Sequence, residues 1–327
     1  MTVENTLAVI HDIIIQHHIV AKRHKMNNLR PWRKRTLQLM AVEMMLTREK
    51  DTVDGEQDQL HQVGGHGSVD NSKAMRLNDS GLVLKPIQEG PRGKRELEFF
   101  RTVTNSSDPS EAVWQEFVPQ FHGVSRKVLE DGTKAEFLMM ENLLNNAKKP
   151  CIMDVKIGAR TYGPDASEEK KAQQDASYAG TKQLFGFSVP GLSVHVGDMK
   201  EEIITKGKEY GRTLNKENIH ELLELFLDTK TSNKVSKELA RIFIEKLKMI
   251  LQLFNYQTTF HFFASSLLFV YDAEVTERYN ESMREELEKS VSLKMIDFAH
   301  VWRAEGKIDK NYIQGLESLI KLFSKVL

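Results

Sequence analysis

Two charged side chains in an apolar strand are the first chemical signal in this chain. Asp154 and Lys156 lie two positions apart in PCIMDVKIG, Pro150 to Gly158, among Ile152, Met153, Val155 and Ile157. Side chains at i and i+2 of a strand share one face. A carboxylate and an ammonium are rarely taken into a buried strand without partners or a task. A buried structural ion pair is the plain alternative. The apolar setting favours a task, and Gly158 marks a place where backbone passes close to a ligand.

Other segments offer parts for phosphoryl transfer, which needs a cation on the nucleotide phosphates, a carboxylate for Mg²⁺ and an aimed acceptor hydroxyl. Lys85 ends the strand-like GLVLK, and Glu96 or Glu98 on the following segment is placed to orient it. Asp297 closes the apolar run in KMIDFAH, a common way to present a carboxylate oxygen to a hard cation. Alone, Lys85 reads better as an edge-strand lysine facing water, and Asp297 is a weak motif that also reads as a turn cap. Glu141 follows FLMM, where the hinge of a two-lobed nucleotide-binding protein would lie. Ser265 and Ser266 open SSLLFVY, where hydroxyls usually satisfy backbone groups. His261 and His300 read as core or rim histidines, and the eleven histidines show no zinc-type spacing. Nothing matches a Walker loop.

The elements that must hold these residues follow from periodicity and turn signals. Strands are expected at Gly81–Lys85, Phe137–Met140, Cys151 onward, Phe262–Tyr271 and Leu293–Phe298, with a hairpin over Phe187–Val196 turning at Pro190-Gly191. Helices are expected at Arg92–Val103 behind Pro91, with Leu97 and Phe100 on one face, and at Ser167–Lys182, Lys216–Leu227, Lys234–Tyr256 and Tyr312–Val326. Three regions result: an extension over 1–58, helical or disordered, a small lobe over 59–149 and a larger lobe over 150–327. The extension carries two basic clusters, Lys22 to Lys25 and Arg30 to Arg35, read as a solvated helix or leader rather than an import or nucleic-acid patch. A polar, Gly-rich linker over Asp51–Asn71 follows it.

Composition excludes several classes. The chain has 327 residues, and 46 Lys and Arg balance 46 Asp and Glu, so no global field for nucleic acid or anionic membrane is implied. Cys151 is the single cysteine, which rules out an internal disulfide and fits a buried inert thiol in a reducing compartment. Polar residues interrupt the apolar stretch Leu7–Val20, so neither a membrane span nor a signal peptide is expected.

Taken together, HQVGGHG at His61, LVLK at Leu82, PRGKRELEFF at Pro91, PCIMDVKIG at Pro150, YGRTLNKE at Tyr210, ASSLLFVYD at Ala264 and MIDFAHV at Met295 resemble the inositol polyphosphate kinase family, in particular its multikinase branch. The resemblance runs from about Leu60 to the C-terminus. It implies a two-lobed α+β fold distantly like protein kinases, with antiparallel sheets, helices and ATP between the lobes. It implies Lys85 on the ATP phosphates, Glu141 and Leu143 at the adenine, Asp154 on the ribose, and Lys156 at the acceptor hydroxyl and transferred phosphate. Asp297 would hold Mg²⁺, supported by Ser266. Lys170, Gln173 and Gln174 would line an inositol wall within about 164–215, with Lys208 and His300 as further contacts. The pattern implies a lysine where this chain has Ser177. The implied acceptors are inositol polyphosphates, with phosphoinositide headgroups second, for a monomer in nucleus and cytoplasm that binds no nucleic acid directly. The rivals are a single-position inositol trisphosphate 3-kinase and a kinase-shaped scaffold without activity.

Overall fold

The computed structural model describes residues 56–59, 74–129, 132–197, 200–228 and 233–327. The basic clusters and the HQVGGHG segment lie outside them. Strand β1, Glu56–Gln59, is described. It pairs with β2, Arg76–Asn78, so the boundary expected at Asp58 falls inside a strand of the small-lobe sheet.

That sheet is antiparallel in the order β1-β2-β3-β5-β4, with β3 at Val83–Pro86, β4 at Phe121–Val128 and β5 at Lys134–Met140. Helix α1, Pro91–Asn105, follows β3. Pro91 starts it, because a residue without an amide hydrogen is tolerated in the first turn. Its buried face carries Glu96, Phe99, Phe100 and Val103, while Leu97 is half-buried and Glu98 exposed. Phe99 and Phe100 meet Phe298 at ring-centroid distances of 4.3 and 5.3 Å, and Phe99 also meets Phe262 at 5.8 Å. Phe262 and Phe298 come from the C-terminal part of the chain, so α1 is the helix through which the two lobes share one core. A short helix α2, Pro109–Ala112, completes this lobe.

The larger lobe is built on a second antiparallel sheet, ordered β11-β10-β6-β7-β8. Its strands are β6 Pro150–Ile157, β7 Phe187–Val196, β8 Glu202–Lys206, β10 Ser266–Asp272 and β11 Ser292–Ile296. β6 is the central strand and is buried along most of its length, as its apolar run requires. Helices α3 Glu168–Ala176, α4 Ala179–Phe185, α5 Lys208–Thr213, α6 Ile219–Phe226, α7 Asn233–Tyr256, α8 Ala273–Glu277, α9 Arg284–Ser290 and α10 Lys310–Ser324 surround it. α7 and α10 lock together through Phe254 stacked on Tyr312 at 4.2 Å. β9, Phe260–Phe262, and β12, Val301–Arg303, form a separate two-stranded ribbon.

Four expectations are corrected. Phe187–Val196 is one strand, not a hairpin. Its register against β6 slips between Asp154 and Lys156, and this irregularity accommodates Pro190, which cannot donate to the ladder. The hairpin partner of β7 is β8. The helix expected over Ser167–Lys182 is two helices broken at Tyr178, which stands at φ 58°. The strand expected over Phe262–Tyr271 is broken at Ala264, φ 53°. Gly158 has φ 105°, and a Cβ there would lie 2.3 Å from the Asn311 side chain. Its glycine is therefore required by α10 rather than by a ligand. Gly211 in YGR is required similarly, since a Cβ would fall 1.9 Å from the Val189 carbonyl oxygen of β7.

Candidate active site

Register brings the charged residues to one place. Ser266 on β10 pairs with Lys156 on β6 and with Ile296 on β11, so Ser266, Lys156 and the residue after Ile296 are neighbours. Asp154 shares their face of the sheet two residues along β6. Asp297 follows β11 at φ 63°, a left-handed conformation that Asp tolerates better than most residues. The turn lifts its carboxylate out of the sheet toward the small lobe.

Lys85 meets it there. Lys85 Nζ donates to Asp297 Oδ1 at 2.6 Å and to Glu96 Oε1 at 2.8 Å. Glu96 is the orienting carboxylate, and Glu98 points to solvent. Glu96 Oε1 also accepts the Phe298 amide at 3.0 Å, so one oxygen ties β3, α1 and the Asp297 turn together. Burial pushes the Lys85 pKa down, but the charges of Asp297 and Glu96 outweigh it and raise it above the ordinary lysine value. Burial likewise pushes Asp297 up, yet Lys85 prevails and holds its carboxyl below the usual range. The Asp297 side chain is still 44% exposed, so it remains open on the cleft side.

Asp154 is different. Burial, then the charge of Asp297, pushes its carboxyl up to about 7, against the opposing pull of Lys156. Asp154 Oδ1 and Ser266 Oγ are buried without hydrogen-bond partners. Lys156 makes no ion pair or side-chain hydrogen bond with a described residue. Buried polar atoms left open in this way are rare in finished cores and call for a ligand.

The hinge has the same character. The Glu141 amide donates to Gln120 O at 2.8 Å, and Glu141 Oε2 accepts the Gln120 amide at 3.2 Å, so both serve the fold. Among the described residues nothing bonds the Glu141 carbonyl or the Leu143 amide. An acceptor and a donor two residues apart on one strand exit match the amino-pyrimidine edge of adenine. The open groups at Asp154, Ser266, Glu141 and Leu143 therefore fit a nucleotide with a divalent cation.

A cationic wall adjoins this cleft. The pKa of His300 is lowered to about 4 by burial and then by Arg92, Lys170 and Arg95, with Asp165 opposing, and its Nδ1 is buried without a partner. Lys170 sits in the first turn of α3, capped by Ser167. Gln174 Oε1 accepts from Thr161 Oγ1 at 2.9 Å, while Gln173 is exposed on the same helix. Lys208 opens α5, which packs against β7 and α4, and it makes no ion pair with a described residue. Sequence reading missed Arg92 and Arg95. Their i, i+3 spacing in PRGKRE places them on one face at the start of α1, a signal that was present. Arg95 is held by Asp165 at 3.2 Å and lies over Trp302, 4.6 Å from the ring centroid. Cys151, by contrast, is an inert thiol: burial raises its pKa to about 11.

Replacing Glu96 by Gln tests the lysine alignment. The variant should lose about tenfold in kcat, because Lys85 loses one of its two anionic partners. Steady-state kinetics on E96Q check this, and an unchanged kcat removes Glu96 from the mechanism.

Two lobes, a cross-cleft lysine between two carboxylates and open hinge groups define a kinase. A sequence model of the inositol polyphosphate kinase family matches residues 137–324. Inositol polyphosphate multikinase alpha of Arabidopsis thaliana is 31% identical over 280 residues, covering 82% of this chain and 94% of that protein. The inositol polyphosphate multikinase of Rattus norvegicus is 37% identical over 216 residues, covering 65% of this chain and 52% of that protein. Inositol phosphate multikinase Ipk2 of S. cerevisiae, solved with ADP and Mn²⁺, superposes with a TM-score of 0.59 at 26% identity, over 75% of this chain and 98% of that one. The chain belongs to the inositol polyphosphate kinase family, and the two-lobed α+β architecture expected from sequence is the one observed.

Proposed function

We propose that this enzyme is an ATP- and Mg²⁺-dependent inositol polyphosphate multikinase. Its acceptor is inositol 1,4,5-trisphosphate, phosphorylated at the 3- and 6-hydroxyls towards the pentakisphosphate. The headgroup of phosphatidylinositol 4,5-bisphosphate is a second acceptor, because it presents the same phosphate pattern. The observation that carries the reading is the convergence of Lys85, Asp297, Asp154 and Lys156 beside the wall of Arg92, Lys170 and His300.

The roles follow from chemistry. The Glu141 carbonyl and Leu143 amide hold the adenine, and Asp154 accepts from the ribose hydroxyls. Lys85 holds the nucleotide phosphates. Asp297 and Ser266 would hold the cation, which would supply neutralisation of phosphate charge. Lys156 orients the acceptor hydroxyl and stabilises the phosphoryl group in transit. Lys170, Gln173, Gln174, Lys208, His300 and Arg92 grip the acceptor. His300 is neutral near pH 7 and binds phosphate as a hydrogen-bond donor. A loose phosphoryl transition state asks little of a general base, and none is assigned.

Incubation with Mg-ATP and inositol 1,4,5-trisphosphate, followed by isomer-resolved chromatography, should give a tetrakisphosphate and then the pentakisphosphate. A single tetrakisphosphate as end product identifies a 3-kinase instead, and no product leaves a scaffold. We place the enzyme in nucleus and cytoplasm on the strength of its lone buried thiol, which suits a reducing compartment, and read it as a monomer.

A further inference from the structure

Lys182 on α4 is the most buried lysine among the described residues, at 2% exposure. The next, Lys200, is matched by the carboxylate of Asp228. Lys182 has no such match. Its Nζ donates to the backbone carbonyl of Gln174, and it makes no ion pair among the described residues. The charges acting on it are Asp175 and Lys156. The Asp175 carboxylate itself accepts from the Tyr162 hydroxyl at 3.4 Å.

An ammonium taken from water without a counter-ion is unfavourable by several kcal/mol. The C-terminal end of a helix relieves part of this, because its last four carbonyls lack intrahelical partners and carry partial negative charge. α3 ends at Ala176, so the Gln174 carbonyl is one of the four. Burial pushes the Lys182 pKa down, against the opposing charge of Asp175 and with a smaller push from Lys156.

The same stretch of α3 is tied twice more, by Thr161 to the Gln174 side chain and by Tyr162 to Asp175. Three ties on two adjacent residues fix the C-terminal end of the wall to the loop that follows the Lys156 strand and to α4. A structural lysine alone would be served equally by a neutral donor. Asp175 is the anion that acts on it, from a half-buried position and without forming an ion pair.

We propose that Lys182 is a positioning residue for the polyphosphate acceptor: it clamps the C-terminal end of α3, holding the wall of Gln173 and Gln174 at a set distance from Lys156, and supplies a buried positive charge behind the acceptor phosphates. The inference rests on the acceptor reading given above.

K182Q keeps a donor for the Gln174 carbonyl and removes the charge, whereas K182R keeps the charge. K182Q should melt within a few degrees of wild type and raise the KM for inositol 1,4,5-trisphosphate about tenfold, leaving the ATP KM within about twofold. K182R should hold the acceptor KM within about threefold of wild type. An unchanged acceptor KM in K182Q, or an equal rise for ATP and acceptor, overturns the proposal. If K182Q does not fold, D175N decides, because it removes the carboxylate that partly answers Lys182 from a half-buried position. A fall of about threefold in acceptor KM supports the proposal, and an unchanged or raised value overturns it. A wild-type chain that phosphorylates no inositol polyphosphate fails at an earlier point, removing the acceptor reading and this inference with it.

Discussion

D297N should fold normally and lose about 10³-fold in kcat, a loss of about 4 kcal/mol in transition-state stabilisation. The two halves of that expectation have separate causes. Asn adopts the left-handed region almost as readily as Asp, so the turn at φ 63° survives the exchange. The ion pair to Lys85 involves a carboxylate that is 44% exposed, and pairs so placed add little to stability. In the proposed mechanism catalysis depends on the charge. The exchange would leave the proposed cation with a neutral ligand, and it leaves Lys85 with Glu96 as its single anionic partner. Removing the negative charge beside Asp154 should also let the Asp154 pKa fall. Calorimetry with Mg-ADP should therefore show weakened binding in D297N, with a melting temperature close to wild type. Normal turnover in D297N would remove Asp297 as the metal ligand.

What could be read from the sequence divides by locality. The β6 strand, α1, α7 and α10 were legible because each buries a continuous face within one segment. Asp154 and Lys156 stood out because charges interrupt an apolar run at strand spacing. Lys85 and Asp297 are 212 residues apart, and no spacing rule joins them. Their pairing follows from register and from the Glu96 carboxylate that bonds both Lys85 and the Phe298 amide. The resemblance named both residues, but only the fold shows them in contact. The errors were local conflicts settled by tertiary structure. Pro190-Gly191 carries a strong turn signal, yet the sheet absorbs it as an irregularity facing β6. Tyr178 and Ala264 take positive φ without being glycine, so no residue type announced the breaks there. β4 was missed because FHGVSRKV alternates weakly, with a mostly half-buried or exposed pattern. The cationic wall was invisible in composition for a related reason. Arg92, Lys170 and His300 come from three distant segments, and each is diluted by acidic neighbours such as Glu96, Asp165 and Glu168. Lys182 read as one more lysine on a polar helix, and its burial is a property of the packing of α4.

D154N should move activity and stability in opposite directions. The folded-state pKa of Asp154 is about 7, against 3.8 for the ordinary carboxyl. Between these values the native state holds a proton that the unfolded chain has lost. Native stability therefore falls as pH rises through that window, at up to about 1.4 kcal/mol per pH unit, and the penalty is complete above about pH 7. An amide cannot ionise, so D154N escapes the penalty. Its melting temperature should exceed wild type at about pH 8, and the difference should shrink as pH falls and vanish below about pH 3, where the carboxyl is neutral in both folded and unfolded chains. Turnover should drop about 10²-fold above about pH 7, because a neutral amide is a poorer acceptor for two ribose hydroxyls than a carboxylate is, and the deficit should narrow as pH falls and the wild-type carboxyl becomes neutral. In the wild type, nucleotide affinity should weaken as pH falls below about 7, as the carboxylate takes up its proton, and D154N should lack that dependence. Thermal melts at the two pH values and nucleotide titrations across them measure both. A D154N protein less stable than wild type at about pH 8 would mean that the carboxylate is held by the fold rather than for the ligand.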